Sequence, residues 1–263
     1  MMAFFKQFPK VNYDFKRDGV VQQMVDIYRN VRPLESFLDN ISAYKFYNVQ
    51  NGERPDLVSG RLYGTSQFYW TFFVVNEHLH DGYRSWPLSQ EALQAYMNKQ
   101  YDGFVIETAP KVSSNFENSL AGRFQLGETI TGITSGATGT LTKKNIDLSQ
   151  LVVQNVTGTF IGEGTPQGAK ELIQGSISTD TVSTHKVYKY IDAPYYYYDQ
   201  DDVDKKPVTN ALHINGGQYT SNINYVSNRE HIEEKNDEYS LIRYIDPNYI
   251  NRFVREFNNL LNR

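Results

Sequence analysis

The stretch RLYGTSQFYWTFFVVNE, Arg61 to Glu77, decides the fold of this 263-residue chain. Between Phe68 and Val75, seven of eight residues are aromatic or β-branched aliphatic, and Thr71 is the eighth. Composition alone favours a strand, and periodicity does not arbitrate because both the helical and the alternating faces are apolar. Eight residues are far fewer than the roughly 20 that a membrane-spanning helix needs. A buried strand, a buried helix and an aromatic ligand-binding wall remain open.

The residues on either side favour the helix. Gly64 suits the left-handed position that ends one helix, and Thr65 or Ser66 can cap the next. Asn76 can then stop that second helix. We therefore interpret the stretch as a helix that follows another helix after a glycine turn.

The residues before and after this stretch complete a first compact unit over 37–108. AYKFYNV (43–49) alternates as a short strand does, and Asn51–Gly52 is a turn signal. Pro55 suits the first turn of a helix, where its missing N–H costs nothing. A further helix is expected after Ser89, which can act as its cap.

Residues 1–36 are expected to form an N-terminal arm. Apolar residues recur there at helical spacing, and Pro33 ends the pattern. This spacing predicts a helix that carries Val20, Val21, Met24, Ile27, Tyr28 and Val31.

Residues 109–180 differ in composition, because Gly, Thr and Ser dominate and aromatic residues nearly vanish from 123 to 178. Short alternating runs between glycine turns predict a small antiparallel β module, inserted into the chain. It contains a weak internal repeat that aligns Phe124, Gly127 and Glu128 with Phe160, Gly162 and Glu163.

Residues 181–263 form the C-terminal region, which begins with a tyrosine run and ends in an amphipathic helix. Ser227 and Glu230 fit a capping box. Asp246 can cap the last helix, and Pro247 suits its first position. The helix has one apolar stripe, which consists of Ile250, Phe253, Val254, Phe257, Leu260 and Leu261.

Charge and cysteine content exclude several classes of protein. The net charge is −4, and the longest basic runs are pairs of lysines, so we expect no nucleic-acid binding. The chain has no cysteine, which removes disulfides, zinc ribbons and thiol nucleophiles. The N-terminal apolar run is short and interrupted by Pro9 and lysines, unlike a secretory signal. We expect no membrane association.

Motifs for catalysis or cofactor binding are absent from the sequence. His78, His80 and Asp81 are the best candidate metal ligands, but a polar loop explains them better. The acidic run from 199 to 204 lacks the glycine and glutamate of a calcium loop. Glu53 and Asp56 lie close together, yet nothing marks a raised pKa in either. We therefore expect no catalytic, cofactor or metal site.

The segment YKFYNVQNGERPDLVSGRLYGTSQFYWTFFVVNE resembles a LysM-type module: strand, G-E, helix ending in YG, second helix ending in Asn. It is more similar to the LysM-like segment of the baseplate wedge subunit of contractile-tailed (myovirus-type) bacteriophages. DIYRN (26–30), WPLSQEALQAYMNKQY (86–101), IDAPYYYYD and YIDPNYINRFVREFNNLL match the same family. The resemblance covers roughly 20–108 and 181–263.

The resemblance implies an α+β fold: a LysM-like β-α-α-β core with the inserted module and a C-terminal helix. Trp70 and Phe73 would then lie in the core. It implies a structural subunit that joins neighbouring wedges around the tail tube during assembly, with no enzyme activity. Its partners would be other baseplate wedge and tail proteins, in a hetero-oligomer of several copies. It would belong to the tail baseplate of the virion, assembled in the host cytoplasm.

Candidate contact residues for such partners come from the arm, the helix after the core, the tyrosine run and the last helix. They are Asp26, Ile27, Tyr28, Arg29, Asn30, Trp86, Tyr195, Tyr196, Tyr197, Tyr198, Tyr249 and Phe253. Packing of Phe253 and Phe257 within their own domain is the competing interpretation. The alternative functions are a LysM-type protein that binds glycan (peptidoglycan) and a tail-associated hydrolase.

Overall fold

A computed structural model of the chain describes residues 8–26, 43–108, 120, 122–163, 170–207 and 222–262. The described residues form thirteen strands and five α-helices. The strands are β1 Lys10–Tyr13, β2 Gln22–Val25, β3 Tyr44–Asn48, β4 Phe104–Glu107, β5 Thr129–Gly132, β6 Thr138–Asn145, β7 Gln150–Thr157, β8 Leu172–Gly175, β9 Thr181–Ser183, β10 Lys186–Lys189, β11 Pro194–Asp199, β12 Ile223–Ser227 and β13 Leu241–Ile245. The helices are α1 Pro55–Tyr63, α2 Trp70–Val75, α3 Gln90–Gln100, α4 Asn228–Ser240 and α5 Ile250–Leu261.

The chain divides into two compact units. The terminal unit contains Met1–Ala92 and Lys235–Arg263, and the inner unit contains Leu93–Glu234. Both ends of the chain therefore contribute to one unit. The chain is mixed α+β, as the sequence predicts.

The terminal unit is built on a two-stranded antiparallel sheet of β3 and β13. Tyr44 lies opposite Ile245 and Asn48 opposite Leu241. Ile242 packs with α1 and α2 through Val58 and Phe72, which are fully buried. The order of these elements along the chain is strand, helix, helix, strand, but the second strand follows the first by nearly 200 residues.

The helical interpretation of the opening stretch is confirmed. Gly64 ends α1 at φ 73° and donates its N–H to the Gly60 carbonyl. The Thr65 hydroxyl accepts from the Gln67 N–H at the start of a short 3-10 turn, and α2 follows. Trp70 is buried as expected. Phe73 is only half-buried, and Phe72 is the fully enclosed ring instead.

Two expectations about the terminal unit need correction. The arm shows strand β2 where the spacing predicts a helix, at least as far as Asp26; residues 27–42 lie outside the described part of the chain. The strand that pairs with β3 lies outside the 37–108 segment, because this partner is β13. The second strand of the segment, β4, pairs with β7 and β10 of the inner unit.

The inner unit contains a seven-stranded antiparallel sheet in the order β10-β4-β7-β6-β5-β8-β9. The strands at its two ends are consecutive in the chain. Thr184 and His185 join these two strands. The Thr184 N–H donates to the Glu171 carbonyl next to β8, and the His185 N–H donates to the Glu107 carbonyl on β4. The sheet therefore closes on itself, which leaves few open strand edges. The sheet extends beyond the predicted insert of 109–180, since it includes β4 and β10.

The closed sheet encloses an apolar core, and its chain contains a repeat that differs from the one predicted. The motif E-x-I-x-G-x-x-S begins at Glu128 and again at Glu171, 43 residues later. The Glu171 carboxylate accepts from the N–H and hydroxyl of Ser135, and the Glu128 carboxylate accepts from those of Ser178. Each copy thus binds the other across the antiparallel β5–β8 pair, in an arrangement with local two-fold symmetry.

The C-terminal helix agrees with its predicted stripe. Ile250, Phe253, Phe257 and Leu261 are buried on α5. The expected helix start is wrong, because the helix begins at Ile250 with no side-chain cap rather than at Pro247. The Asp246 carboxylate instead accepts from the Asn248 N–H at 2.9 Å, in the turn that leads into the helix. The Asp246 side chain also pairs with Lys45 at 2.8 Å, and this hydrogen bond holds the pKa of Asp246 below its ordinary value.

Candidate partner interface

The N-terminal hairpin is formed by β1 and β2, with Lys10 opposite Val25 and Tyr13 opposite Gln22. Asp14 organises the connection, because its carboxylate accepts from the N–H groups of Asp18 and Gly19 at 3.2 and 2.8 Å. Gly19 has φ 83°, a conformation that glycine adopts without strain. The turn is therefore well specified by its own residues.

Apolar side chains cover the hairpin without being buried. All eight residues of its two strands are exposed. Phe15 is 72 % exposed and Val20 and Val21 are each 60 % exposed. We call the following set the hairpin surface: Val11, Tyr13, Phe15, Val20, Val21, Met24 and Val25. Exposed apolar side chains concentrated on one short hairpin suggest a site of protein contact.

Phe8 fixes the base of the hairpin to the terminal unit. This ring is 8 % exposed and belongs to the cluster that contains Trp70, Phe253 and Phe257. Beyond it, the Asp26 N–H donates to the Pro9 carbonyl at 2.9 Å and closes the hairpin. A two-stranded hairpin alone is marginally stable in water, so the anchor at its base contributes to holding the hairpin in place.

The tyrosine run lies on β11, which pairs with β12 in the inner unit. Tyr195 is 45 % exposed, and its ring stacks on His231 with centroids 3.9 Å apart. Tyr196 and Tyr198 are half-buried, and Lys205 lies over the Tyr198 ring. Three of the four predicted tyrosines are therefore accessible to a partner.

Tyr197 is the exception in this run and corrects the prediction that it forms an outer contact. It is 3 % exposed, and its hydroxyl donates to the Glu107 carboxylate at 2.6 Å. Burial, followed by the negative charge of Glu107, raises the pKa of Tyr197. The hydroxyl therefore stays protonated and joins β11 to β4.

Trp86 and Phe253, both in the terminal unit, are likewise buried rather than exposed to a partner. Trp86 is 6 % exposed and donates its indole N–H to the Glu53 carbonyl at 2.7 Å. Phe253 is 2 % exposed and packs on Trp70. Both were predicted as contact residues because aromatic rings are common at interfaces, but the same rings form this core. Tyr249 is 42 % exposed and stays available.

The remaining predicted contacts are in the arm. Asp26 is half-buried at the end of β2. Ile27, Tyr28, Arg29 and Asn30 lie outside the described residues. The sequence pattern predicted partner contacts on the arm but did not indicate that the arm forms a hairpin. The signal that could have indicated the hairpin was the placement of Tyr13, Phe15, Val20 and Val21, which are apolar residues on either side of an Asp- and Gly-containing turn.

The candidate metal ligands show no metal site. His80 and Asp81 are both well exposed and 3.4 Å apart, and burial lowers the pKa of His78. Among the described residues, no group of three or more His, Cys, Asp or Glu side chains is placed to hold a metal ion. In the same part of the chain, no helix combines the length and apolar character needed to span a membrane.

Comparison with known proteins gives a family model that matches the N-terminal part of the chain and a curated protein similar to part of the chain. Residues 1–110 match the family model described as Base plate wedge protein 53. The resemblance to phage baseplate wedge subunits is confirmed. The baseplate wedge protein gp53 of Enterobacteria phage T4 is 32 % identical in an alignment of length 112, which covers 40 % of this chain.

The matched segment has a clear position in the structure. The chain spans 56 % of the length of the T4 protein. The match includes the hairpin, β3, α1 and α2 but neither β13 nor α5, which complete the core around them. The LysM-like character of this core is not part of either match and stays a prediction.

Proposed function

We propose that this chain is a structural subunit of a phage tail baseplate wedge, without enzyme activity, that joins neighbouring wedges around the tail tube during assembly. The family match over residues 1–110 carries the proposal. The partners are other wedge and tail proteins, in several copies per particle. The subunit then belongs to the virion tail baseplate, after assembly in the host cytoplasm.

The terminal unit supports a LysM-like interpretation of the scaffold. β3, α1, α2 and β13 follow one another as strand, helix, helix, strand, and the two strands pair antiparallel. In this interpretation the entire inner unit interrupts the module between its second helix and its second strand. The scaffold serves to hold its hairpin in place and acts through protein contacts.

The hairpin surface is the proposed contact with a neighbouring wedge protein. Its apolar side chains are exposed on both faces of the hairpin. Burial of such side chains in a partner contributes about 1.5–3 kcal/mol for each large residue. Charged turn residues, Asp14 and Asp18, are engaged in the turn itself, so affinity rests on apolar area more than on ion pairs.

Reconstitution with the wedge and tail proteins of the same phage tests this proposal. The variant carries Phe15→Ser with Val21→Ser, both at exposed positions, so its melting temperature should match that of the unmodified protein. Co-sedimentation with the wedge complex should fall at least about tenfold, because two apolar anchors are lost. Val203→Ser is the matched control, since Val203 is 95 % exposed in the inner unit. Undiminished binding of the double variant would refute the hairpin contact, and absence of any tail-protein partner would refute the function.

A further inference from the structure

The inner unit contains a half-open polar cavity of about 90 Å³. Its lining includes Tyr101, Lys143, Gln150, Tyr190 and Tyr195. No group proposed above for wedge contacts depends on it except Tyr195, which lies at its edge. Binding pockets combine apolar or aromatic walls with a few polar groups that fix the ligand, and this cavity has both.

Hydrogen bonds and an ion pair hold the wall of the cavity. Asn228 donates both side-chain hydrogens, to the carbonyls of Tyr190 at 2.8 Å and Ala193 at 3.1 Å. Arg229 pairs with Asp192 in the same turn, and the Tyr190 N–H donates to the Gly103 carbonyl at 2.9 Å. A site fixed in this way loses little conformational entropy on binding.

Gln150 supplies an acceptor at the base of the cavity. It is 4 % exposed, and its amide nitrogen donates to the Pro194 carbonyl at 3.1 Å. Its Oε1 atom accepts no hydrogen bond from any described residue. Because Gln150 lines the cavity and this oxygen is not among the buried polar atoms that lack a partner, it is available to accept a hydrogen bond from a ligand or water.

The other polar groups around the cavity are mostly donors. Lys143 is exposed and makes no ion pair with a described residue. The side chain of Asn145 likewise makes no hydrogen bond with a described residue. Burial raises the pKa of Tyr101 to about 12, so its hydroxyl keeps its proton and can donate. The Tyr101 and Tyr190 rings meet edge to face at 4.9 Å and form an aromatic wall.

These groups discriminate among ligand classes. A cation is repelled by Lys143, and a simple anion leaves the Gln150 oxygen facing another acceptor. A polyhydroxyl ligand donates and accepts at once, and a carboxylate on it pairs with Lys143. We propose that the cavity binds a sugar acid, one hexuronate unit, with its hydroxyl groups on Gln150 and the tyrosines and its carboxylate on Lys143.

Titration of the full chain with D-glucuronate, followed by amide NMR shifts, tests the proposal. We expect saturable shifts at the cavity residues with a dissociation constant of about 1 mM, as suits a ligand of this size. Lys143→Gln should weaken glucuronate about tenfold, the loss of one charge-assisted hydrogen bond, and leave weaker D-glucose binding unchanged. Lys99→Gln is the matched control, an exposed lysine on α3. Melting temperatures establish that both variants fold.

Titrations with a short oligouronide and with acetate identify which part of the ligand the cavity binds. A short oligouronide that binds more tightly than glucuronate assigns the cavity to a polysaccharide, and equal affinity assigns it to the free sugar acid; either result supports the site. The proposal is overturned if acetate binds as tightly as glucuronate, if the two lysine variants behave alike, or if no cavity residue shifts at about 20 mM glucuronate.

Discussion

Asn76 and Arg243, 167 residues apart in the chain, share two hydrogen bonds of 2.8 Å each. The Asn76 amide nitrogen donates to the Arg243 carbonyl, and its oxygen accepts from the Arg243 N–H. The same nitrogen donates to the Phe72 carbonyl at the end of α2. Asn76 is fully buried, so this one side chain takes the place of a neighbouring strand at the edge of β13.

Substitution of Asn76 by Asp should destabilise the terminal unit severely. A carboxylate cannot donate to the carbonyls of Phe72 and Arg243, and its charge is buried without a cation partner. We expect a loss of about 3 kcal/mol or more in the free energy of unfolding, measured by urea denaturation. Asn48→Asp is the control, because Asn48 is exposed on β3. Equal stability of the two variants would contradict the role of the buried amide.

The local helices were predictable from sequence because their signals are local. Pro55 and Gly64 mark the two ends of α1, and the apolar stripe from Ile250 to Leu261 marks α5. The pairing of β3 with β13 was not predictable, since alternation in both segments gives no partner. The hydrogen bonds between Asn76 and Arg243 were not predictable either, because a polar residue after a helix indicates only that the helix ends.

The candidate site was predicted in part. Exposed tyrosines on β11 follow from the composition of the run, whereas the burial of Tyr197 depends on Glu107, which lies 90 residues earlier. The hairpin was assigned to the wrong element because Val20, Val21 and Met24 fit helical spacing by chance. With no buried face, the strand lacks the alternating pattern by which strands are recognised.

The α5 stripe is expected to be core rather than partner surface. Phe257 is 4 % exposed, and its ring centroid lies 4.8 Å from that of Trp70. Phe257→Asp should therefore unfold the isolated terminal unit, at a cost of about 4 kcal/mol or more, because it removes the ring and buries a charge. Near-ultraviolet circular dichroism and thermal unfolding report the change. Tyr249→Asp, at an exposed position just before the same helix, should leave the melting temperature nearly unchanged; a native-like Phe257→Asp variant would point to an interface.

Acid should weaken the inner unit through Glu128. Burial raises the pKa of this carboxyl, but the N–H groups of Ser178, Ile177 and Gln125 and the Ser178 hydroxyl outweigh burial and hold it below its ordinary value of 4.5. The unfolded chain therefore binds the proton first as pH falls. The stabilisation is complete above pH 4.5 and is lost as pH decreases through the lower folded pKa.

Glu128→Gln tests that titration. The amide oxygen accepts fewer hydrogen bonds and its NH2 group faces donors, so we expect a loss of about 2 kcal/mol at pH 7. Unfolding free energies at pH 7, 5 and 3 should converge on the unmodified protein as pH falls, because the carboxylate advantage disappears. Glu91→Gln on the exposed side of α3 serves as the control. A constant difference between Glu128→Gln and the unmodified protein across this range would contradict the assignment.

The terminal unit should fold without the inner unit when its two ends are joined. The Leu88 N–H donates to the Asn236 side chain at 2.7 Å, and the Asn236 amide returns a bond to the Leu88 carbonyl. The chain therefore leaves and re-enters this unit at neighbouring points, and a short Gly/Ser linker can connect Ala92 to Lys235. Residues 1–92 joined to 235–263 should unfold cooperatively in urea. Residues 1–110 alone should not, because they lack the Ile242, Ile245 and Phe257 side chains that complete the core. Cooperative unfolding of the 1–110 fragment would contradict the strand pairing, while wedge binding by the joined chain would locate the contact on the terminal unit, where the hairpin lies.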